Sequence, residues 1–78
     1  MKRTVLVVED DLDLGPALLA ALKAEGMSAQ WVRRAADAGA MLGPEVDLVL
    51  LDRALAGQEG LDLLRHWRMK RKIGRAHV

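Results

Sequence analysis

The sequence predicts an α/β fold on a parallel sheet, with the element order β-α-β-α-β-α. Two apolar runs carry this reading, VLVV at 5–8 and VDLVLL at 46–51. Both are too short for helices and do not alternate, so they suit strands buried on both faces. Strands that alternate with helical stretches at this spacing imply right-handed crossovers between parallel neighbours.

Taken in order, the first strand is 5–8, and acids begin where it stops. Asp13 is placed to cap the helix that follows, and Pro16 is tolerable in its first turn. Leu14, Leu18, Ala21, Leu22 and Glu25 keep helical spacing until Gly26 ends the run. Residues 27–32 read as a second strand, and 35–42 as a short alanine-rich helix closed by Gly43 and Pro44. The third strand, 46–51, again ends in a carboxylate, Asp52. Residues 53–60, RALAGQEG, read as a loop in which Gly57 and Gly60 serve the turn and the helix entry. Leu61, Leu64 and Trp67 then form the inner face of a last helix.

Seventy-eight residues make one small domain, and an apolar content of 51% in short runs is the texture of a globular chain. The absence of cysteine excludes a disulfide scaffold, a thiolate zinc site and a cysteine nucleophile, and fits a reducing compartment. A cytoplasmic location is the expectation. MKRT before VLVV has the outline of a signal peptide, but acids follow after a few apolar residues. No run approaches the roughly 20 apolar residues that span a bilayer. The net charge of +1 hides a division. Residues 1–64 hold six bases against all 11 acids, and residues 65–78 hold six bases and no acid.

In open parallel sheets the ligand site lies beyond the carboxyl ends of the strands, where the strand order reverses. If the first and third strands are neighbours there, Glu9, Asp10 and Asp52 converge. Three carboxylates in one crevice repel unless a cation compensates them. A hard divalent ion such as Mg²⁺ suits such oxygen ligands and keeps waters that a phosphoryl group can replace. A carboxylate beside the ion can then attack phosphorus and form an acyl phosphate.

VLVVEDD followed by VDLVLLDRALAGQEG resembles the receiver domain of bacterial two-component response regulators, over roughly residues 2–68. The resemblance implies a flavodoxin-like sheet with strand order 2-1-3, here covering the first three β-α units, 1–72. It implies that Glu9 and Asp10 are the acidic pair, with Asp10 a direct Mg²⁺ ligand. Asp52 would be both a metal ligand and the aspartate phosphorylated by a sensor histidine kinase, and Ala54 would lend the metal its backbone carbonyl. It also implies a non-enzymatic switch whose parent protein carries an output domain, often DNA-binding, and can form a homodimer. No contact with membrane is implied.

The chain departs from the family pattern in places. Ala56 stands where a proline is usual, and Arg53 adjoins the phosphoacceptor. The later strand with a Ser or Thr switch residue and the strand ending in an essential Lys are not found in the 78 residues. The expectation is a third strand with a bare edge, and a chain not competent by itself.

The basic end, RHWRMKRKIGRAHV, admits nucleic-acid binding as an alternative, since clustered bases with a tryptophan can hold phosphates and stack on bases. IGRAHV, 73–78, is also the translation of the opening of a common sequencing adapter, so these residues are expected to be a non-native tail. A second alternative is a haloacid dehalogenase-type phosphohydrolase, from the D-L-D at Asp11 to Asp13. Against it, Leu14 replaces the usual Thr or Val, and Asp11 stands too far past the strand. His66 is read as a surface residue of the last helix.

Overall fold

The computed structural model describes residues 2–52, 65 and 75–77. Its elements are β1 (Thr4–Val8), α1 (Leu14–Ala24), β2 (Ser28–Val32), α2 (Ala35–Ala38), β3 (Leu48–Leu51) and β4 (Arg75–His77). The strands form one parallel sheet in the order β2-β1-β3-β4. The expected 2-1-3 order is present, and a further strand extends it.

β1 lies between β2 and β3 and is covered on both faces, which is why VLVV lacks alternation. Val5, Leu6, Val7 and Val8 are each at most 2% exposed. Burying a Val or Leu side chain to this degree is worth about 1.5–3 kcal/mol. Leu6 and Val8 join Ala38, Val46, Val49 and Leu51 in one buried cluster, with Val32, Met41 and Leu42 packed against it. This is the α2 side of the sheet. The β1–α1–β2 and β2–α2–β3 crossovers run in opposite directions along the sheet, so their shared right hand puts α1 on the other side, the side of Val5 and Val7. Leu48 and Leu50 share that second face by register, but are only half-buried.

Two details of α1 differ from the sequence reading. Asp13 makes no side-chain cap bond. Instead Asp11 Oδ1 accepts from the backbone N–H groups of Asp13 at 2.8 Å and Leu14 at 2.9 Å, while the Gly15 N–H donates to the Asp11 carbonyl at 3.0 Å. Asp11 is thus the residue whose side chain satisfies the free donors at the helix start. The inward stripe also differs in part: Leu18 and Leu22 are half-buried as expected, but Gly15 is buried and Leu19 half-buried, while Leu14, Ala21 and Glu25 are exposed. The indole of Trp31 sets this phase, because it fills the space where a Cβ on Gly15 would stand. At the other end, Gly26 adopts φ 84°, its N–H donates to Lys23 O at 3.0 Å, and the Met27 N–H donates to Leu22 O at 3.1 Å. That double return to the last turn is the glycine-closed helix end the sequence indicates.

α2 is shorter than the expected 35–42. After Ala38 the Met41 and Leu42 N–H groups both donate to the same Ala38 carbonyl, so the chain turns instead of adding a helical repeat. Gly39, a poor helix residue, follows immediately. β3 begins later than expected because Asp47 is committed to an exchange with Thr4. Its N–H donates to Thr4 O at 2.8 Å, and its Oδ2 accepts from the Thr4 N–H at 2.7 Å.

The expected bare edge on β3 is corrected. Arg75, Ala76 and His77 pair in parallel with Leu48, Val49 and Leu50, so backbone from the basic end covers it. The loop at 53–60 and most of the third expected helix lie outside the described residues. Arg65, which falls in that helix, is helical and exposed. No helix among the described residues is long and apolar enough to cross a membrane.

Candidate metal centre at the strand ends

The sheet hydrogen bonds run one residue past β1 and β3, and this extension fixes the acids. Glu9 N–H donates to Val32 O at 3.0 Å, and Asp52 N–H donates to Val8 O at 3.1 Å. Glu9 is therefore tied to β2, and Asp52 to the last carbonyl of β1. With Asp10 they offer carboxylate oxygens that all lie within 4.8 Å of one another. The three acids expected from sequence to converge do so.

Their surroundings differ. Glu9 is 5% exposed, Asp52 is half-buried and Asp10 is exposed. The Glu9 pKa is raised above its ordinary value, first by a hydrogen bond with the Asp52 carboxyl, then by burial and by the charge of Asp52. Glu9 Oε2 is buried with no hydrogen-bond partner among the described residues. A buried carboxylate oxygen without a donor is costly. A cation at the cluster answers that cost, and an all-oxygen donor set is the kind that hard divalent ions prefer. The residues present thus fit Mg²⁺. Ala54, the expected backbone ligand, lies outside the described residues.

Around the cluster, Arg33 Nη2 donates to Asp10 O at 3.3 Å. Arg34 pairs with Asp37 through two contacts of 3.2 and 3.3 Å. The Arg34 guanidinium holds the Asp37 carboxyl below its ordinary pKa. These residues, with Asp10, line an open cavity of about 390 Å³ beside the acids. Asp11, the first acid of the alternative D-L-D motif, is occupied at the start of α1, and its pKa is lowered by the Leu14 and Asp13 N–H groups.

Sequence reasoning missed Trp31 and Gly15. The Trp31 Nε1–H donates to Glu9 O at 2.7 Å. No composition or spacing signal marks that contact, since it depends on a register, Val7 opposite Trp31, that brings the indole beside the end of β1.

Comparison with known proteins agrees with this fold. No family model matches the chain. It is 48% identical over 65 residues to the swarming motility regulation protein RssB of Serratia marcescens, which covers 82% of this chain and 30% of that protein. It is 42% identical over 65 residues to the response regulator protein PmrA of Pseudomonas aeruginosa, covering 82% and 29%. It is 34% identical over 67 residues to the transcriptional regulatory protein QseB of Escherichia coli O157:H7, covering 85% and 31%. Among solved structures, the non-phosphorylated HemR receiver domain of Leptospira biflexa superposes with a TM-score of 0.78 at 33% identity, over 91% of this chain and 58% of that one. The chain spans under a third of these curated relatives.

Proposed function

We propose that this chain, whose sequence and fold are those of the opening part of a response-regulator receiver domain, supplies the phosphoacceptor and metal ligands of a two-component phosphorelay. The observation that carries the reading is the convergence of Glu9, Asp10 and Asp52, each placed by a strand end, around a buried oxygen that lacks a donor.

In this reading Glu9, Asp10 and Asp52 hold Mg²⁺, and the Ala54 carbonyl completes the protein's share. When bound, the ion offsets charge on the transferring phosphoryl oxygens. Asp52 is the nucleophile. One of its carboxylate oxygens attacks the phosphorus of a phosphohistidine on a sensor histidine kinase. The P–N bond breaks, its electron pair stays with the imidazole, and an aspartyl phosphate forms. The backbone bond from Asp52 N–H to Val8 O holds the nucleophile against the central strand during attack. The new phosphoryl charge and acceptor oxygens then bias later parts of a full receiver.

Such a chain is a switch and not a turnover enzyme, acting in the cytoplasm within a regulator whose output domain binds DNA and which dimerises there. Residues 1–72 form the partial receiver, 73–78 are a non-native extension, and the 78 residues alone are a poor phosphoacceptor. The test uses a receiver of full length carrying these residues, incubated with Mg²⁺ and a small acyl phosphate. Intact mass spectrometry should detect one added phosphoryl group, and the Asp52→Asn protein should gain none. Equal gains in both proteins remove Asp52 from the mechanism.

A further inference from the structure

We infer that Trp31 is a positioning residue for the metal centre, acting through the peptide that joins Glu9 to Asp10. This inference rests on the reading of Glu9, Asp10 and Asp52 as a cation site. That peptide follows the end of β1, where the chain is free to take many directions. Three contacts from β2 and its exit remove that freedom. The Glu9 N–H donates to Val32 O at 3.0 Å, the Glu9 carbonyl accepts from Trp31 Nε1 at 2.7 Å, and the Asp10 carbonyl accepts from Arg33 Nη2 at 3.3 Å.

The Trp31 bond is the short one of the three and the best shielded of the two that come from side chains. Trp31 is half-buried, whereas Arg33 is exposed, and a hydrogen bond away from water is electrostatically stronger than one at the surface. The indole is also held from its far side. Gly15 leaves no side chain at the first turn of α1, and the ring occupies the room where a Cβ would be. Trp31 is therefore wedged between α1 and the acid pair. It sets the direction of the Glu9 carbonyl, and with it the plane from which the Asp10 side chain leaves. Partners that orient ligands without touching the metal commonly govern affinity by 10-fold or more.

The decisive comparison is between the 78-residue chain and the same chain made by chemical synthesis with β-(3-benzothienyl)alanine at position 31. That side chain keeps the bicyclic shape and replaces the indole N–H by sulfur. Trp31→Phe serves as a second variant, and circular dichroism verifies the fold of each. Mg²⁺ affinity is read by calorimetry, and exchange of the Trp31 indole proton by NMR in the metal-free chain. The expected result is slow indole exchange in the unmodified chain and Mg²⁺ binding weakened roughly 10-fold in the isostere. Equal Mg²⁺ affinity in the two chains overturns the positioning role and leaves the cation site standing. Indole exchange as fast as that of a free tryptophan also overturns it, even if the variants do not fold. No Mg²⁺ binding by the unmodified chain overturns the cation site and this inference together.

Discussion

Glu9 carries the largest conflict in the metal-free fold, a buried carboxyl beside a second carboxyl. Removing its ability to ionise relieves the conflict and also removes a ligand. Glu9→Gln should therefore raise the denaturant midpoint without metal, because the burial and the Asp52 charge that push the Glu9 pKa up no longer act on an ionisable group. The same change should weaken Mg²⁺ binding by roughly 10-fold or more. A midpoint that falls would mean that Glu9 is a satisfied structural acid. Asp11 offers the opposite case. Its pKa is held down by the Leu14 and Asp13 N–H groups. A depressed folded pKa means that its stabilisation is complete above the unfolded value of 3.8 and is lost as pH falls through the lower folded value. Asparagine keeps an acceptor but does not titrate in this range. Asp11→Asn should thus leave α1 intact near neutral pH and flatten the acid limb of a circular dichroism titration relative to the unmodified chain. At this scale the acids were legible by type and position, because carboxylates that follow buried strands announce themselves. Which of two neighbouring aspartates caps the helix was not legible. That choice depended on the backbone turn at Asp11 and not on residue preference.

At the scale of elements, the buried strands were readable because β1 is covered on both sides and its composition records that. The end of α1 was equally plain, since Gly26 supplies a left-handed backbone angle. The phase of α1 was not readable. Leu14 fits an apolar spacing with Leu18 and Leu22, and the Trp31 ring over Gly15 decides that Gly15 turns inward and Leu14 does not. Gly15→Ala tests that contact directly. The added methyl improves helix propensity, but it meets an indole held by its bond to Glu9. The overpacking cost of about 1–3 kcal/mol should dominate, lowering the thermal midpoint and shifting tryptophan emission. The register of β3 is held at the opposite end of the sheet by the exchange between Asp47 and Thr4. Asp47→Ala leaves one backbone N–H without its acceptor, a loss of about 1–3 kcal/mol. It should lower chemical stability while leaving Mg²⁺ binding within a few-fold, which separates this acid from Asp52 by calorimetry.

For the whole molecule, the order 2-1-3 was legible through the resemblance to receiver domains, while the residues alone gave parallel strands with right-handed crossovers. The fourth strand was not, because three residues of a basic segment, Arg75 to His77, carry no strand pattern of their own. Their pairing with β3 is a tertiary contact, and such contacts leave little mark on local sequence. Deleting 73–78 should expose the backbone edge of β3 and lower stability by on the order of 1 kcal/mol. Together with the half-buried Leu48 and Leu50, that edge should promote association, visible as a concentration-dependent sedimentation coefficient. An unchanged midpoint and sedimentation profile would mean that the segment is a passenger.

The central place of β1 also sets an order of events during synthesis. β1 leaves the ribosome first, yet its second neighbour, β3, ends at Leu51, so the nascent strand waits through the making of two helices and β2 with one side unpaired. Glu9 and Asp10 are translated early and Asp52 late. The acidic cluster consequently does not exist on the growing chain until β3 has emerged and docked, and divalent ions can favour only the chain that has already closed its sheet.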